Sequence, residues 1–417
     1  MPKTFAEKVL SKKTGIDAKA GDIVIAKPDF IMSHDNSSAI SKTFKKIGVE
    51  KVKYPERIVI ILDHCVPAAT EKYAQNHKEA REFVKEQAIT NFFDINRGVC
   101  HQVLPEEGFA LPGTLILGSD SHTTTYGAFG SFSAGIGRTE AAAIWATGEL
   151  WLKVPEAMKI IVSGNFQKKV SAKDFVLKII SDIRSDGADY MSVEFFGEGL
   201  NNLSISDRMT IANMAAEMGA KNCFFPPNDE VLNYFKNIGK LDFEIMVPDE
   251  NAAYARELYY NLNEIEPMLA CPHTVDNVLK VSEKKGLEFH QGLIGTCTNG
   301  REDDLLKAAA ILKGKKINKN IRLLIFPASN LVFQNCLKNG TIQVLSEAGA
   351  VIMNPGCGPC LGAHEGTLAP GEICLSTANR NFKGRMGCKE AEVYLASPET
   401  VAASALSGKI EDPRNVK

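Results

Sequence analysis

Gly292-Leu293-Ile294-Gly295, Arg322-Leu323-Leu324-Ile325-Phe326 and Ala350-Val351-Ile352-Met353 are three short apolar runs bounded by polar or glycine residues. Runs of this length and composition read as strands buried on both faces. Between them, residues 303–312 and the stretch ending over 344–348 carry helical patterns. Strand and helix in strict alternation imply a parallel sheet with helices on its faces. The C-terminal part of the chain is therefore expected to be α/β.

The same rhythm extends toward the N-terminus. Arg57-Ile58-Val59-Ile60-Ile61-Leu62-Asp63 and Thr114-Leu115-Ile116-Leu117-Gly118 repeat the strand pattern. The pattern predicts helices over 70–87 and 140–152, and Ser171-Ala172-Lys173-Asp174 opens another as a cap with an acid three residues on. No internal repeat of about 20–50 residues and no low-complexity segment is present. Weak breaks near 164–170 and 264–281, the second marked by Pro267, Cys271-Pro272 and Asn277, give three expected α/β domains: 1–165, 166–281 and 282–417.

Composition narrows the function. The chain has 417 residues, 44% of them hydrophobic, and a net charge of -2 from 48 Lys+Arg against 50 Asp+Glu. That excludes a disordered chain and argues against a large basic surface for nucleic acid. No apolar run approaches the roughly 18 residues of a membrane helix. Charged residues occupy the start, Met1-Pro2-Lys3-Thr4-Phe5-Ala6-Glu7-Lys8, where a signal peptide needs apolar ones, so a cytoplasmic protein is expected.

Ten cysteines in a long, core-forming chain point to metal or redox chemistry rather than to disulfide staples. Seven of them (Cys65, Cys100, Cys223, Cys271, Cys336, Cys374 and Cys388) sit singly and read as small buried hydrophobes. Cys297 lies in Gly295-Thr296-Cys297-Thr298-Asn299-Gly300-Arg301, just beyond a strand. Cys357 and Cys360 lie in Pro355-Gly356-Cys357-Gly358-Pro359-Cys360-Leu361-Gly362, beyond another. Carboxyl ends of parallel strands are where ligands bind in such sheets, so the two loops can converge. Three readings stand at this point: a zinc site completed by His364, a thioredoxin-type redox pair, and an iron–sulfur cluster on three thiolates with one iron open.

Other motifs bear on the choice. Asp63-His64, Cys100-His101-Gln102 and Ser119-Asp120-Ser121-His122-Thr123 each place an imidazole where a strand ends, and two carry an adjacent carboxylate. An Asp–His pair holds a charged imidazole as a proton donor, as expulsion of hydroxide requires. The glycine-rich stretch 127–137 lacks the Gly-Lys-Ser/Thr ending of a phosphate loop and reads as tight packing before a helix. Asn379-Arg380-Asn381-Phe382-Lys383-Gly384-Arg385 offers two guanidinium forks suited to carboxylates. Lewis-acidic iron, Asp–His proton donors and paired arginines together fit addition or removal of water on a di- or tricarboxylate.

These motifs, with Gly118-Ser119-Asp120-Ser121-His122-Thr123, Asn354-Pro355-Gly356-Cys357-Gly358-Pro359-Cys360, Val193-Glu194-Phe195-Phe196-Gly197 and residues 204–214, resemble the aconitase superfamily from about Phe5 to Asp412. The resemblance implies three aconitase-like α/β domains with parallel sheets around a central iron–sulfur cluster cleft. Aconitases continue into a fourth, swivelling domain; this chain stops at Lys417 and is similar to the large subunits of the two-chain members. The implied activity is that of a hydro-lyase, foremost 3-isopropylmalate dehydratase of leucine biosynthesis, with homoaconitase or 2,3-dimethylmalate dehydratase as the alternative. The implied partner is a small subunit with the swivelling domain and a catalytic serine, and neither nucleic acid nor membrane is expected to bind. An RNA-binding regulator and a zinc-structured scaffold are the competing classes.

The resemblance also assigns residues. Cys297, Cys357 and Cys360 would hold one [4Fe-4S] cluster. Asp63 and His64 would deliver a proton to the departing hydroxyl, and His101, Asp120, His122 and Glu194 would order water and substrate. Ser121, Asn379, Arg380 and Arg385 would bind carboxylates. His34-Asp35 occupies the place where aconitase has a glutamine, which favours the two-chain enzymes, and His34 would bind substrate.

Overall fold

Strands Ile58–Ile61 and Leu115–Gly118 are buried at every residue, the signature of the interior of a parallel sheet. A computed structural model, describing residues 1–362 and 364–416, shows that sheet to have five strands. Their order is Asn91–Phe93, Ile58–Ile61, Phe30–Ser33, Leu115–Gly118 and Phe132–Gly135, all parallel. The chain winds outward in one direction from Phe30–Ser33 and in the other from Leu115–Gly118. The strand order therefore reverses between these two, and a crevice opens at their carboxyl ends.

The C-terminal sheet repeats the arrangement. Gln291–Gly295 lies between Arg322–Phe326 on one side and Ile373–Ser376 on the other, with Val351–Ile352 and Glu392–Leu395 outside them, all parallel. Two antiparallel strands, Met268–Ala270 and Val278–Lys280, extend the edge beyond Glu392–Leu395. A further sheet, four-stranded and parallel, consists of Asn222–Phe224, Ser192–Phe196, Ala157–Ser163 and Arg256–Asn261. One continuous cluster of buried apolar residues joins Ile116, Val193 and Leu293, so the three sheets share a core.

The helices follow their sequence signals closely where a cap marks the end. Thr70 accepts the Tyr73 N–H and starts the helix Glu71–Gln87; such a cap contributes about 1 kcal/mol. Asp174 accepts the Ser171 N–H at 2.9 Å at the start of the helix Ala172–Ile183. The helix expected over 140–152 instead spans Arg138–Thr147. Gly148, at φ 79°, stops it, and Leu150–Lys153 pairs as a strand with Ile23–Ala26.

Two of the expected domain limits fall between strands of one sheet. Ala157–Ser163 belongs to the middle sheet, so a division at 165 would cut that sheet. Met268–Ala270 and Val278–Lys280 belong to the last sheet, so a division at 281 would cut this one too. Among the described residues no helix is long and apolar enough to cross a membrane.

Candidate active site

Three strands of the first sheet end side by side, and each releases a polar turn. Phe30–Ser33 leads to His34-Asp35, Ile58–Ile61 to Asp63-His64, and Leu115–Gly118 to Ser119-Asp120-Ser121-His122. The His64 Nδ1–H donates to Asp63 at 2.5 Å, and Nε2 lies 3.5 Å from Asp120. Burial works against charge on this imidazole, yet Asp63 and Asp120 outweigh it and hold His64 well above its ordinary value. His64 is thus protonated at neutral pH with its Nε2–H toward the crevice. His34 stacks on it, ring centroids 3.8 Å apart, and burial followed by the His64 charge pushes His34 down to about 4. One ring is charged and the other neutral.

Asp120 is the hub. It lies 3.0 Å from His101 Nε2 and 3.3 Å from His122 Nδ1, and it accepts the His122 backbone N–H at 2.8 Å. Burial would raise this carboxyl; the three imidazoles keep it well below the usual range. The strand-end expectation is right for His64 and His122 but not for His101, which lies in the first turn of the helix Cys100–Glu106. The other ring nitrogen of His122 meets Glu217 at 2.8 Å, and Glu217 also takes the Arg380 Nε–H at 2.8 Å. Arg380 then donates through Nη2 to Ser121 Oγ at 2.9 Å. An acid, an imidazole and a guanidinium are locked into one chain.

The last sheet supplies the thiols. Gly295 ends Gln291–Gly295 at φ 150°, and a Cβ there would lie 2.3 Å from the Phe326 carbonyl oxygen, so only glycine fits before the Thr296–Asn299 turn that carries Cys297. Cys357 caps the short helical turn Gly358–Leu361, and Cys360 lies within it. Asn379 follows the adjacent strand Ile373–Ser376; its Nδ2–H donates to Cys297 Sγ at 3.5 Å, and Asn213 does so at 3.3 Å. Arg385 Nη2 reaches Cys360 Sγ at 3.5 Å. A hydrogen bond from the Cys357 thiol holds Cys360 far below the ordinary thiol range against its burial, with Arg385 helping. The same bond raises Cys357, as burial does. Burial pushes Cys297 up to about 11.

His64, His101, Asp120 and His122 from the first sheet line one cavity of about 110 Å³ with Cys297, Cys357 and Cys360. Asn379, Arg380 and Arg385 complete its wall. Asp63 stands behind His64, Ser121 sits at the exposed end of Arg380, and His34 backs the His64 ring. Glu194 does not join them. It lies in Ser192–Phe196 of the middle sheet, fully buried, where it accepts the N–H groups of Phe5 and Ala6 and the Tyr254 hydroxyl. It anchors the N-terminal helix Phe5–Thr14, and Glu217 is the carboxylate from the middle domain that reaches the site. His364, weighed above as a fourth zinc ligand, does not line the cavity; its Nδ1 accepts the Glu365 N–H at 2.6 Å.

The motif reading missed Glu217, Asn213 and Lys173, and it named Asp35 beside His34 without a role. Glu217 and Asn213 arrive from the helix Ile205–Met214 and the turn Ala215–Met218 that follows it. Asp35 is an acid beside a histidine at a strand end, a signal of the same kind as Asp63-His64. Lys173 is fully buried and donates to the carbonyls of Thr377 (2.9 Å) and Ala378 (2.6 Å), just ahead of Asn379. Burial lowers its amine to about 7. All ten cysteines are free, and the glycine-rich stretch packs tightly: a Cβ on Gly127 would lie 1.7 Å from the Cys223 carbonyl oxygen.

Comparison with known sequences agrees with this geometry. The model of the aconitase family (aconitate hydratase) matches residues 7–291 and 283–408. The large subunit 1 of 3-isopropylmalate dehydratase from Methanopyrus kandleri is 50% identical over 99% of this chain and 99% of its own length. The probable methanogen homoaconitase large subunit of Methanosarcina mazei is 51% identical over 94% of this chain and all of its own. The 3-isopropylmalate dehydratase large subunit of Clostridium kluyveri is 45% identical over the full length of both. With three thiols, three braced imidazoles and two guanidiniums gathered at the carboxyl ends of parallel strands in two sheets, and with the family model and these relatives matching nearly the whole length, the chain belongs to the aconitase family.

Proposed function

We propose that this chain is the large, catalytic subunit of a hydro-lyase that isomerises 2- and 3-isopropylmalate by removing and restoring water. The observation that carries the reading is the one cavity lined together by Cys297, Cys357 and Cys360, by the His64 imidazole and by the Arg380 and Arg385 guanidiniums. A chain 50% identical over nearly its whole length bears the 3-isopropylmalate dehydratase name. The homoaconitase name of a 51% identical chain supports homoaconitase as the alternative reading. 2,3-Dimethylmalate is a further alternative.

The donor set fits an iron–sulfur cluster. Three buried thiols share a cavity; the Cys297 sulfur faces N–H donors from Asn213 and Asn379, and the Cys360 sulfur faces Arg385, outer partners of the kind a thiolate ligand needs. Cys297, Cys357 and Cys360 would hold one [4Fe-4S] cluster, which supplies Lewis acidity toward the substrate's hydroxyl and carboxylate. Arg380 and Arg385, with Asn379 and Ser121, grip carboxylates through paired N–H donors. His34, stacked on the His64 ring, would bind substrate beside it. His64 delivers its Nε2 proton to the departing hydroxyl, while Asp63 fixes the tautomer through Nδ1. Asp120, ringed by His101, His122 and His64, holds the released water for return to the neighbouring carbon. The base for the carbon-bound proton is assigned to a small subunit carrying a swivelling domain and a catalytic serine. Domains near 1–155, 156–265 and 266–417 would place the thiol loops opposite the histidine turns.

Anaerobic reconstitution with the small subunit, followed by a panel of hydroxy-diacids, tests the reading. Dehydration of 3-isopropylmalate by the pair and near-silence of the chain alone are expected. If no diacid is dehydrated while the cluster is intact, the assignment fails.

A further inference from the structure

Asp35 follows the strand Phe30–Ser33, beside the Ile58–Ile61 strand that carries Asp63-His64. Its side chain is buried, and its two oxygens collect three consecutive backbone N–H groups of that neighbouring turn. Oδ2 accepts from Asp63 and His64, both at 2.8 Å, and Oδ1 accepts from Cys65 at 3.1 Å. Oδ1 also receives His77 Nε2–H at 2.7 Å, from the buried face of the helix Glu71–Gln87. Successive N–H groups converging on one anion form a nest. Neither Asp35 nor His77 lines the cavity.

The geometry asks what this anchor does. The His64 ring is braced by Asp63, but both side chains ride on the same turn, so their mutual bond does not place them against the substrate. The Asp63 carbonyl accepts the Cys357 N–H at 3.0 Å, so the turn is also the link between the histidine side and the thiol side of the cavity. Burial alone would neutralise Asp35; the His77 hydrogen bond, the neighbouring imidazoles and the backbone donor of His64 keep it ionised. A displaced acid loses rate steeply, by about 100-fold for 1 Å.

We propose that Asp35, itself held by His77, is a positioning residue that fixes the Asp63–His64–Cys65 turn and so aims the His64 imidazole at the leaving hydroxyl. The leaving hydroxyl rests on the hydro-lyase reading above; the anchor does not.

The test uses the reconstituted two-subunit enzyme and three variants: Asp35→Asn, His77→Leu and His77→Gln. The glutamine amide donates to Asp35 as the imidazole does, whereas leucine cannot. Hydrogen–deuterium exchange of the peptide containing residues 63–65 is measured alongside kcat and KM for the diacid that the wild type turns over. In Asp35→Asn and His77→Leu, exchange there rises by about tenfold or more with the remaining peptides unchanged. In the same two variants kcat falls at least about tenfold and KM stays within about threefold. His77→Gln returns both quantities close to wild type. Unchanged exchange in both damaged variants overturns the proposal. So does raised exchange with wild-type kcat, and so does a His77→Gln enzyme as impaired as His77→Leu. If Asp35→Asn does not fold, the His77 pair decides. A wild type that dehydrates no diacid sinks the functional reading, and the exchange data still decide the anchor.

Discussion

Replacing Glu217 with glutamine changes one charge and almost no volume. In the folded chain its carboxylate takes His122 Nε2–H at 2.8 Å and Arg380 Nε–H at 2.8 and 3.0 Å, with its side chain nearly buried. Hydrogen bonds to charged groups contribute about 1.5–3 kcal/mol. At 1.4 kcal/mol per tenfold, loss of one such bond lowers kcat/KM roughly 10- to 150-fold. Most of the loss is expected in KM, because Glu217 holds Arg380, the guanidinium proposed to grip substrate carboxylate and bonded to Ser121. The assay is steady-state dehydration by the reconstituted pair, followed by the ultraviolet absorbance of the unsaturated diacid. Glu194→Gln is the control, since that carboxyl meets Phe5, Ala6 and Tyr254 instead of the cavity. It is expected to leave kcat/KM within about twofold and to act on stability alone. A folded Glu194→Gln enzyme as impaired as Glu217→Gln, or a Glu217→Gln enzyme at wild-type kcat/KM, refutes the reasoning.

Three further outcomes are expected. His64 has its folded value raised above 6.5, so the acid form persists through neutral pH and dehydration declines as pH rises through that higher value. Asp63→Asn draws this alkaline limb of the kcat profile to lower pH, and an unmoved limb counts against His64 as the acid. Glu194 is raised to about 7 by burial, so the folded chain binds more protons there than the unfolded one. Its contribution to stability is complete below about 4.5 and is lost as pH climbs toward 7; Tm of Glu194→Gln should therefore fall less between pH 5 and 7 than that of the wild type. Cys297→Ser abolishes the visible absorbance of the reconstituted cluster, whereas Cys374→Ser, on a buried strand away from the cavity, retains it.

Much of the site was legible because its residues sit where local patterns end. An apolar run such as Ile58–Ile61 announces its own termination, and Asp63-His64 follows within a few bonds. The cysteine loops are marked by glycine and proline spacing in the same way. Glu194 and Glu217 offered no such contrast. Both are single acids in apolar surroundings of the middle domain, and the more motif-like one, in Val193-Glu194-Phe195-Phe196-Gly197, serves the N-terminal helix. The helix misjudged over 140–152 shows a related limit, because its last residues pair with Ile23–Ala26 far away in the chain.

From sequence alone come the α/β class, the three thiols, the Asp–His pair and the arginines, since periodicity and strand-end motifs are properties of neighbouring residues. Tertiary structure decided which carboxylate completes the site, where each sheet begins, and how Asp35 grips the turn beneath His64. Those depend on distances between strands joined by long crossovers. Strand order sets such distances, and the residues at either end of a crossover do not encode it locally.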